Sequence, residues 1–187
     1  MNKNLSIGLV ILAVIGIGAY FFMNQSAEET ENSPQPHVQE PTFDGRNASF
    51  TVDGKSVVLV NGVSETPVEN SSAQITTRYF GNEAKGDLNG DGLEDQAFLV
   101  SQNTGGSGTF YYVVVALKYY EGYKTTNAFL VGDRIAPQST EIHADGRELH
   151  VNYADRKQGE PMTARPSEGK VLLLKVAPGG VLEGLMR

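Results

Sequence analysis

Within Gly86-Asp87-Leu88-Asn89-Gly90-Asp91-Gly92-Leu93-Glu94-Asp95, four side chains carry oxygen at a regular spacing. Asp87, Asn89, Asp91 and Asp95 stand at positions 1, 3, 5 and 9 of a loop, and the backbone carbonyl of Leu93 stands at position 7. Calcium is a hard cation that takes six to eight oxygen ligands, and this alternation wraps one short segment around one ion. Gly92, at position 6, permits the sharp bend such a loop needs. An EF-hand would place a bidentate Glu at position 12, but Phe98 stands there, so the loop is of another kind. Asp, Asn and Gly are also ordinary turn residues. The spacing of four ligands together with the glycine favours calcium over a plain acidic turn, and the expected role of the ion is structural.

The elements on either side must hold this loop open. Gln96-Ala97-Phe98-Leu99-Val100 is a short apolar run without a helical stripe, as in a buried strand. Upstream, Ile75, Thr77 and Tyr79 alternate with polar neighbours, the period of a half-buried strand. The expected order is strand, metal loop, strand.

The stretch from Tyr79-Phe80-Gly81 through Asp87-Leu88-Asn89-Gly90-Asp91-Gly92-Leu93-Glu94-Asp95 resembles one FG-GAP or VCBS-type repeat. The resemblance implies a loop that caps a β-hairpin and binds calcium through Asp87, Asn89, Asp91, Asp95 and the carbonyl of Leu93. That family repeats the motif to build a propeller; a single copy here argues against one. Gly105 to Tyr112, Gly132 to Pro137 and Val151 to Arg156 resemble a group of bacterial exported proteins, some with META-like or lysozyme-inhibitor-like domains alongside. This second resemblance spans roughly Ala48 to Lys175. It implies a cell-envelope protein and transfers no catalytic residue.

Charge and composition narrow the class. Net charge is −7; with four acids and one base before residue 43, the remainder holds 18 acids against 14 bases. That balance gives no electrostatic footprint for nucleic acid, and no basic run marks an anionic-lipid site. The chain has no cysteine, which excludes disulfides, thiolate metal sites, a cysteine nucleophile and a lipid-modified cysteine. It has no tryptophan either, so the core rests on Val, Leu, Ile, Tyr and Phe.

Leu5 to Met23 is free of charge and, as a helix, would extend about 28 Å, close to the roughly 30 Å hydrocarbon core of a bilayer. Lys3 precedes it, while Glu28, Glu29 and Glu31 follow, so the positive-inside rule leaves the N-terminus in the cytoplasm and the remainder outside. A cleaved signal peptide would have a shorter apolar region and a small-x-small site; Asn24-Gln25-Ser26-Ala27 is a poor one. The expected organisation is a signal-anchor helix over 1–23, a polar linker over 24–42, and an extracytoplasmic domain over 43–187 with the metal loop at 87–95.

After Phe43 the pattern is of short strands and turns. Asp53-Gly54 joins Ser49–Val52 to Ser56–Val60, and Asn61-Gly62 marks another turn. Thr109 to Tyr119 is apolar on both faces, with Tyr111, Val113 and Val115 on one and Tyr112, Val114 and Ala116 on the other, as in a central strand. Thr140–His143 and Leu149–Tyr153 flank Ala144-Asp145-Gly146-Arg147 as a hairpin, and Val171–Val176 is the last strong strand. The expected fold is mainly β, an antiparallel sandwich or partly open barrel preceded by one transmembrane helix.

Other constellations carry less chemistry. Gly105-Gly106-Ser107-Gly108 lacks the Lys-Ser/Thr of a phosphate loop and reads as a hairpin connection that, glycine-rich and close in sequence to the expected calcium loop, could line a binding surface. The loop from Asp155 to Glu168 holds Arg156, Lys157, Glu160 and Arg165, and an acidic pair of Asp133 and Asp155 is the basis for a hydrolase alternative. An inhibitor or sensor domain is a further alternative. His143 and His150 flank a hairpin and could face each other across it, without an evident third ligand, and His37 lies in the linker. Ser107 and Ser139 lack any elbow or triad context. No catalytic residue is assigned. The leading expectation is a membrane-anchored calcium-binding module of a bacterial cell envelope, with a protein, glycan or cell-wall partner and an exposed patch at Tyr119, Tyr120 and Tyr123.

Overall fold

In the computed structural model, residues 42–185 other than 144 and 146 are described; the expected anchor helix and most of the linker lie outside them. Among the described residues no helix is long and apolar enough to cross a membrane.

The domain is mainly β and antiparallel, in three sheets. Its centre is the pair β5 (Asp95–Asn103) and β6 (Phe110–Tyr119), the two runs that are apolar on both faces. Alternation along each strand splits the core in two. Ala97, Leu99, Val113, Val115 and Leu117 point to one side, and Phe98, Val100, Tyr112 and Val114 point to the other. The sheet around this pair runs β3 (Val63–Pro67), β4 (Gln74–Gly86), β5, β6, β7 (Gly122–Thr125), and β8 (Phe129–Asp133) pairs with β6 above β7. A second sheet has the order β12 (Val181–Gly184), β11 (Glu168–Ala177), β10 (Leu149–Asp155), β9 (Ala136–Ile142). Its Leu149, Val151, Leu174 and Leu182 cover the first face of the central sheet. The hairpin of β1 (Ser49–Val52) and β2 (Lys55–Val58) covers the other face with Phe50, Val52 and Val57, joined by Ala48 and Leu59.

Local chemistry explains the turns. Asp53 and Gly54 both adopt positive φ (49° and 77°), the geometry a two-residue hairpin turn demands, and Asn61-Gly62 repeats it at 52° and 88°. Near its C-terminal half β4 carries two bulges, at Tyr79/Gly81 and Gly81/Ala84, with Gly81 and Asn82 at positive φ. These let the strand run on to Gly86, well beyond the Ile75–Tyr79 alternation seen in the sequence.

β7 and β8 act as one interrupted neighbour of β6. In the gap, the Thr126 N–H donates to Val115 O at 2.8 Å and Thr126 Oγ1 accepts from Val115 N–H at 3.1 Å, so the ladder continues through a side chain. Asn127 then ties the layers together. Its backbone bridges Thr51 of β1, and its amide accepts from Leu182 N–H at 2.9 Å and reaches Leu182 O at 3.5 Å.

Candidate metal centre

The Asp87–Asp95 loop joins β4 to β5, as the strand–loop–strand reading expects, with no helix on either side. The loop is wound on its own side-chain oxygens. Asp87 Oδ1 and Oδ2 accept from the N–H groups of Gly90 (2.7 Å) and Gly92 (2.9 Å). Asn89 Oδ1 accepts from Asp91 N–H, and Asp91 Oδ1 accepts from Leu93 N–H, at 2.9 and 2.8 Å. Asn89 Nδ2 donates to Asp91 Oδ2 at 2.9 Å. These Asx turns bend the chain at every second residue. Gly90 and Gly92 take φ of 83° and 82°, which favours glycine at both places.

Asp95 is different in kind. It has no exposed surface, and its two carboxylate oxygens accept from Leu88 N–H and from Lys118 N–H, each at 2.9 Å. One carboxylate thus fastens the loop to the start of β5 and to the end of β6. Burial pushes its pKa up; the two N–H donors oppose that, and the charges of Asp91 and Asp87 add to it. Burial also acts to raise Asp87, but there the N–H groups of Gly92, Gly90, Asp91 and Asn89 together prevail and hold the carboxyl below its ordinary value.

Among the described residues, no three His, Cys, Asp or Glu side chains converge as metal ligands. The remaining expected ligands are amide oxygens, Asn89 Oδ1 and Leu93 O. The donor set is therefore all oxygen and rich in carboxylate, the type that suits calcium, while the carboxylates in this conformation are spent on backbone N–H groups. Beside the loop a groove of about 520 Å³ is lined by Lys85, Asp87, Gly90, His143, Asp145 and Arg147. The Arg147 guanidinium lies so close over Gly90 that a Cβ there would come within 2.9 Å of Nη2.

The other constellations separate by position. The Gly105–Gly108 connection leaves the far end of β5, so the nine residues of that strand, about 30 Å, stand between it and the Asp87–Asp95 loop. Its backbone is held by Asn103, whose Oδ1 accepts from Gly105 N–H at 2.8 Å and whose Nδ2 donates to Gly108 O at 3.0 Å. His143 and His150 stack at 3.7 Å between centroids, and His150 Nε2 meets Glu148 Oε2 at 3.0 Å.

Asp133 and Asp155 are each committed to a cation. Asp133 is paired with Arg134 at 2.8 Å and accepts from Thr109 N–H; Asp155 is paired with Lys170 at 3.0 Å and accepts from Arg156 N–H. Those partners hold both carboxyls below the usual range, first the Arg134 hydrogen bond for Asp133 and the Lys170 hydrogen bond for Asp155. A glycosidase-type acid needs a carboxyl that keeps its proton at neutral pH, and neither of these does. Arg156 is buried and donates to the carbonyls of Asp133 (3.4 Å) and Arg134 (2.8 Å), pinning the turn in which Arg134 sits at φ 49°. Sequence spacing held no sign of this arginine's pinning role, because the carbonyls it holds are more than twenty residues away.

No family model matches the chain, and neither the curated proteins nor the solved structures give a match.

Proposed function

We propose that this chain is a membrane-anchored, extracytoplasmic binding module of a bacterial cell envelope, with one structural calcium ion in the Asp87–Asp95 loop. The supporting observation is the loop itself: of its four carboxylates, Asp87, Asp91 and Asp95 are at ligand positions, and Asp95 is wholly buried and destabilised in its charged form by that burial first and then by Asp91 and Asp87. A divalent cation among Asp87, Asn89, Asp91, Asp95 and the Leu93 carbonyl would relieve that repulsion. Its binding would stabilise the fold by mass action. The FG-GAP/VCBS-like spacing supports the same reading, as do the uncharged Leu5–Met23 run for the anchor and the stacked sheets for a sandwich-like scaffold. The role offered is binding rather than catalysis, because Asp133 and Asp155, the acidic pair of the hydrolase alternative, are tied to Arg134 and Lys170.

Calorimetric calcium titration of the full chain in mild detergent, with melting curves in calcium and in chelator, tests the metal. Saturable binding with a raised Tm, abolished in Asp91→Ala, is the expected result. The absence of both binding and a thermal shift would reduce the loop to an acidic connection between two strands.

A further inference from the structure

Two of the asparagines in the chain are followed by glycine, Asn61 and Asn89. That dipeptide carries a reaction of its own: the glycine amide nitrogen, unhindered by a side chain, can close a cyclic imide on the asparagine Cγ. The structure puts the two steps in opposite situations. Asn61 is held at φ 52° in its hairpin turn. Its N–H donates to Asn47 Oδ1 at 2.9 Å, and the N–H of the buried Gly62 donates to Arg46 O at 2.7 Å. Both bonds end on the short helical turn Gly45–Asn47, which packs so closely that a Cβ on Gly45 would come within 2.8 Å of the Tyr79 ring. A backbone carbonyl is no base, so the Gly62 proton has no acceptor that could remove it.

Asn89 and Gly90 are exposed, and Asn89 keeps a negative φ. Every reacting atom has a partner there. Gly90 N–H, the nucleophile, donates to Asp87 Oδ1 at 2.7 Å. The pKa of Asp87 lies below its ordinary value, so this carboxylate is ionised at neutral pH. Asn89 Oδ1, the oxygen that gains charge as the ring closes, accepts from Asp91 N–H at 2.9 Å. Asn89 Nδ2, the leaving nitrogen, donates to Asp91 Oδ2 at 2.9 Å. The Arg147 guanidinium over Gly90 adds a positive charge beside the new bond.

We propose that Asn89 is a site of self-modification, converted by the loop's own groups to aspartate and isoaspartate. Asp87 Oδ1 takes the Gly90 N–H proton as Gly90 N bonds to Asn89 Cγ. The Cγ–Nδ2 bond then breaks, Nδ2 takes up a proton and leaves as ammonia, and a succinimide remains. Water reaches the exposed loop and opens the ring. Breaking the bond from Gly90 N to Cγ gives aspartate; breaking the bond from Gly90 N to the backbone carbonyl gives isoaspartate, in which the main chain runs through the side chain and is one atom longer. Either product adds a negative charge at residue 89, and isoaspartate also breaks the two-residue spacing of the loop's Asx turns. This inference stands apart from the calcium reading.

The test follows the full chain in mild detergent at neutral pH, with chelator present so that no cation occupies Asp87. Mass spectrometry with fragmentation that separates Asn, Asp and isoAsp reads residues 61 and 89 over time. The folded chain is compared with the chain in denaturing urea, and the native sequence with Asp87→Asn. Asn89 is expected to convert at least as fast folded as in urea, while the fold slows Asn61. Asp87→Asn is expected to slow Asn89 by about a hundredfold, the smaller end of what a positioned proton acceptor contributes. Faster conversion of Asn89 in urea overturns the proposal, because the loop's hydrogen bonds then shield the side chain. A rate at Asn89 that Asp87→Asn leaves unchanged or raises also overturns it, as the ordinary chemistry of an exposed asparagine. The urea comparison needs only the native sequence, so it decides the matter even where the variant does not fold.

Discussion

Asp95 and Asp91 carry the same charge four residues apart and do different work. Asp95 is a buried hydrogen-bond acceptor for the loop and for β6, whereas Asp91 is exposed and bonds only within the loop. Asp95→Asn sets an NH₂ group against one backbone donor, so the apo fold is expected to lose about 1–3 kcal/mol in denaturant titration in chelator. Asp91→Ala is expected to leave apo stability nearly unchanged while removing any calcium-dependent gain in Tm. If both variants shift apo stability equally, the division of labour is wrong. Acid behaviour follows from the paired carboxyls. Asp87, Asp133 and Asp155 have folded pKa values below the ordinary carboxylate value of about 3.9. Each contributes stability that is full above that value and lost as pH falls through the folded pKa. Asp95, with a raised pKa, has the opposite sign: its penalty grows as pH rises through the ordinary value towards the folded one. Denaturant midpoints measured from pH 6 down to pH 2 should fall, and Asp155→Asn, which retains a polar side chain without the charge, should flatten that fall.

At the scale of elements, some strands were legible and some were not, for physical reasons. β5 and β6 stand out because a strand buried on both faces must be apolar throughout, and the structure places both at the centre. The Asp53-Gly54 and Asn61-Gly62 turns were legible because few other residues accept those φ values. β7 and β12, four residues each, carry too little periodicity to register. The full length of β4 was hidden by bulges, which break the alternation. The position of the Asp87–Asp95 loop between two strands was readable, but the burial of Asp95 was not, since Lys118 reaches it from the far end of another strand. The clamp from Asn127 to Leu182 was equally invisible, for the two are 55 residues apart. Asn127→Ala is expected to cost about 1–3 kcal/mol and to speed hydrogen exchange at Leu182 N–H ahead of the strands at the centre. Unchanged exchange there would mean that β12 is held by β11 alone.

For the molecule as a whole, the two apolar clusters meet back to back through the central sheet. Phe98 is fully buried, with Phe43, Phe50 and Tyr79 around its ring at centroid distances of 5.7, 6.2 and 5.8 Å. The layer of Phe43 to Leu59 should therefore fold with the sheets and not as an appendage. Phe98→Ala is expected to cost about 3–5 kcal/mol, near the total stability of a marginal domain. Calorimetry of the native chain should give one cooperative transition; two separated transitions would show the β1–β2 layer melting independently.

The Asn127 amide also has a bearing on association between copies of the chain. A four-residue border strand such as β12 offers its outward N–H and C=O groups as a template on which another chain can grow. At Leu182 both groups are already taken by one side chain that contributes no further strand. Asn127 thus works as a stopper against fibre growth, and removing it should make purified protein scatter light on incubation at temperatures where it is still folded.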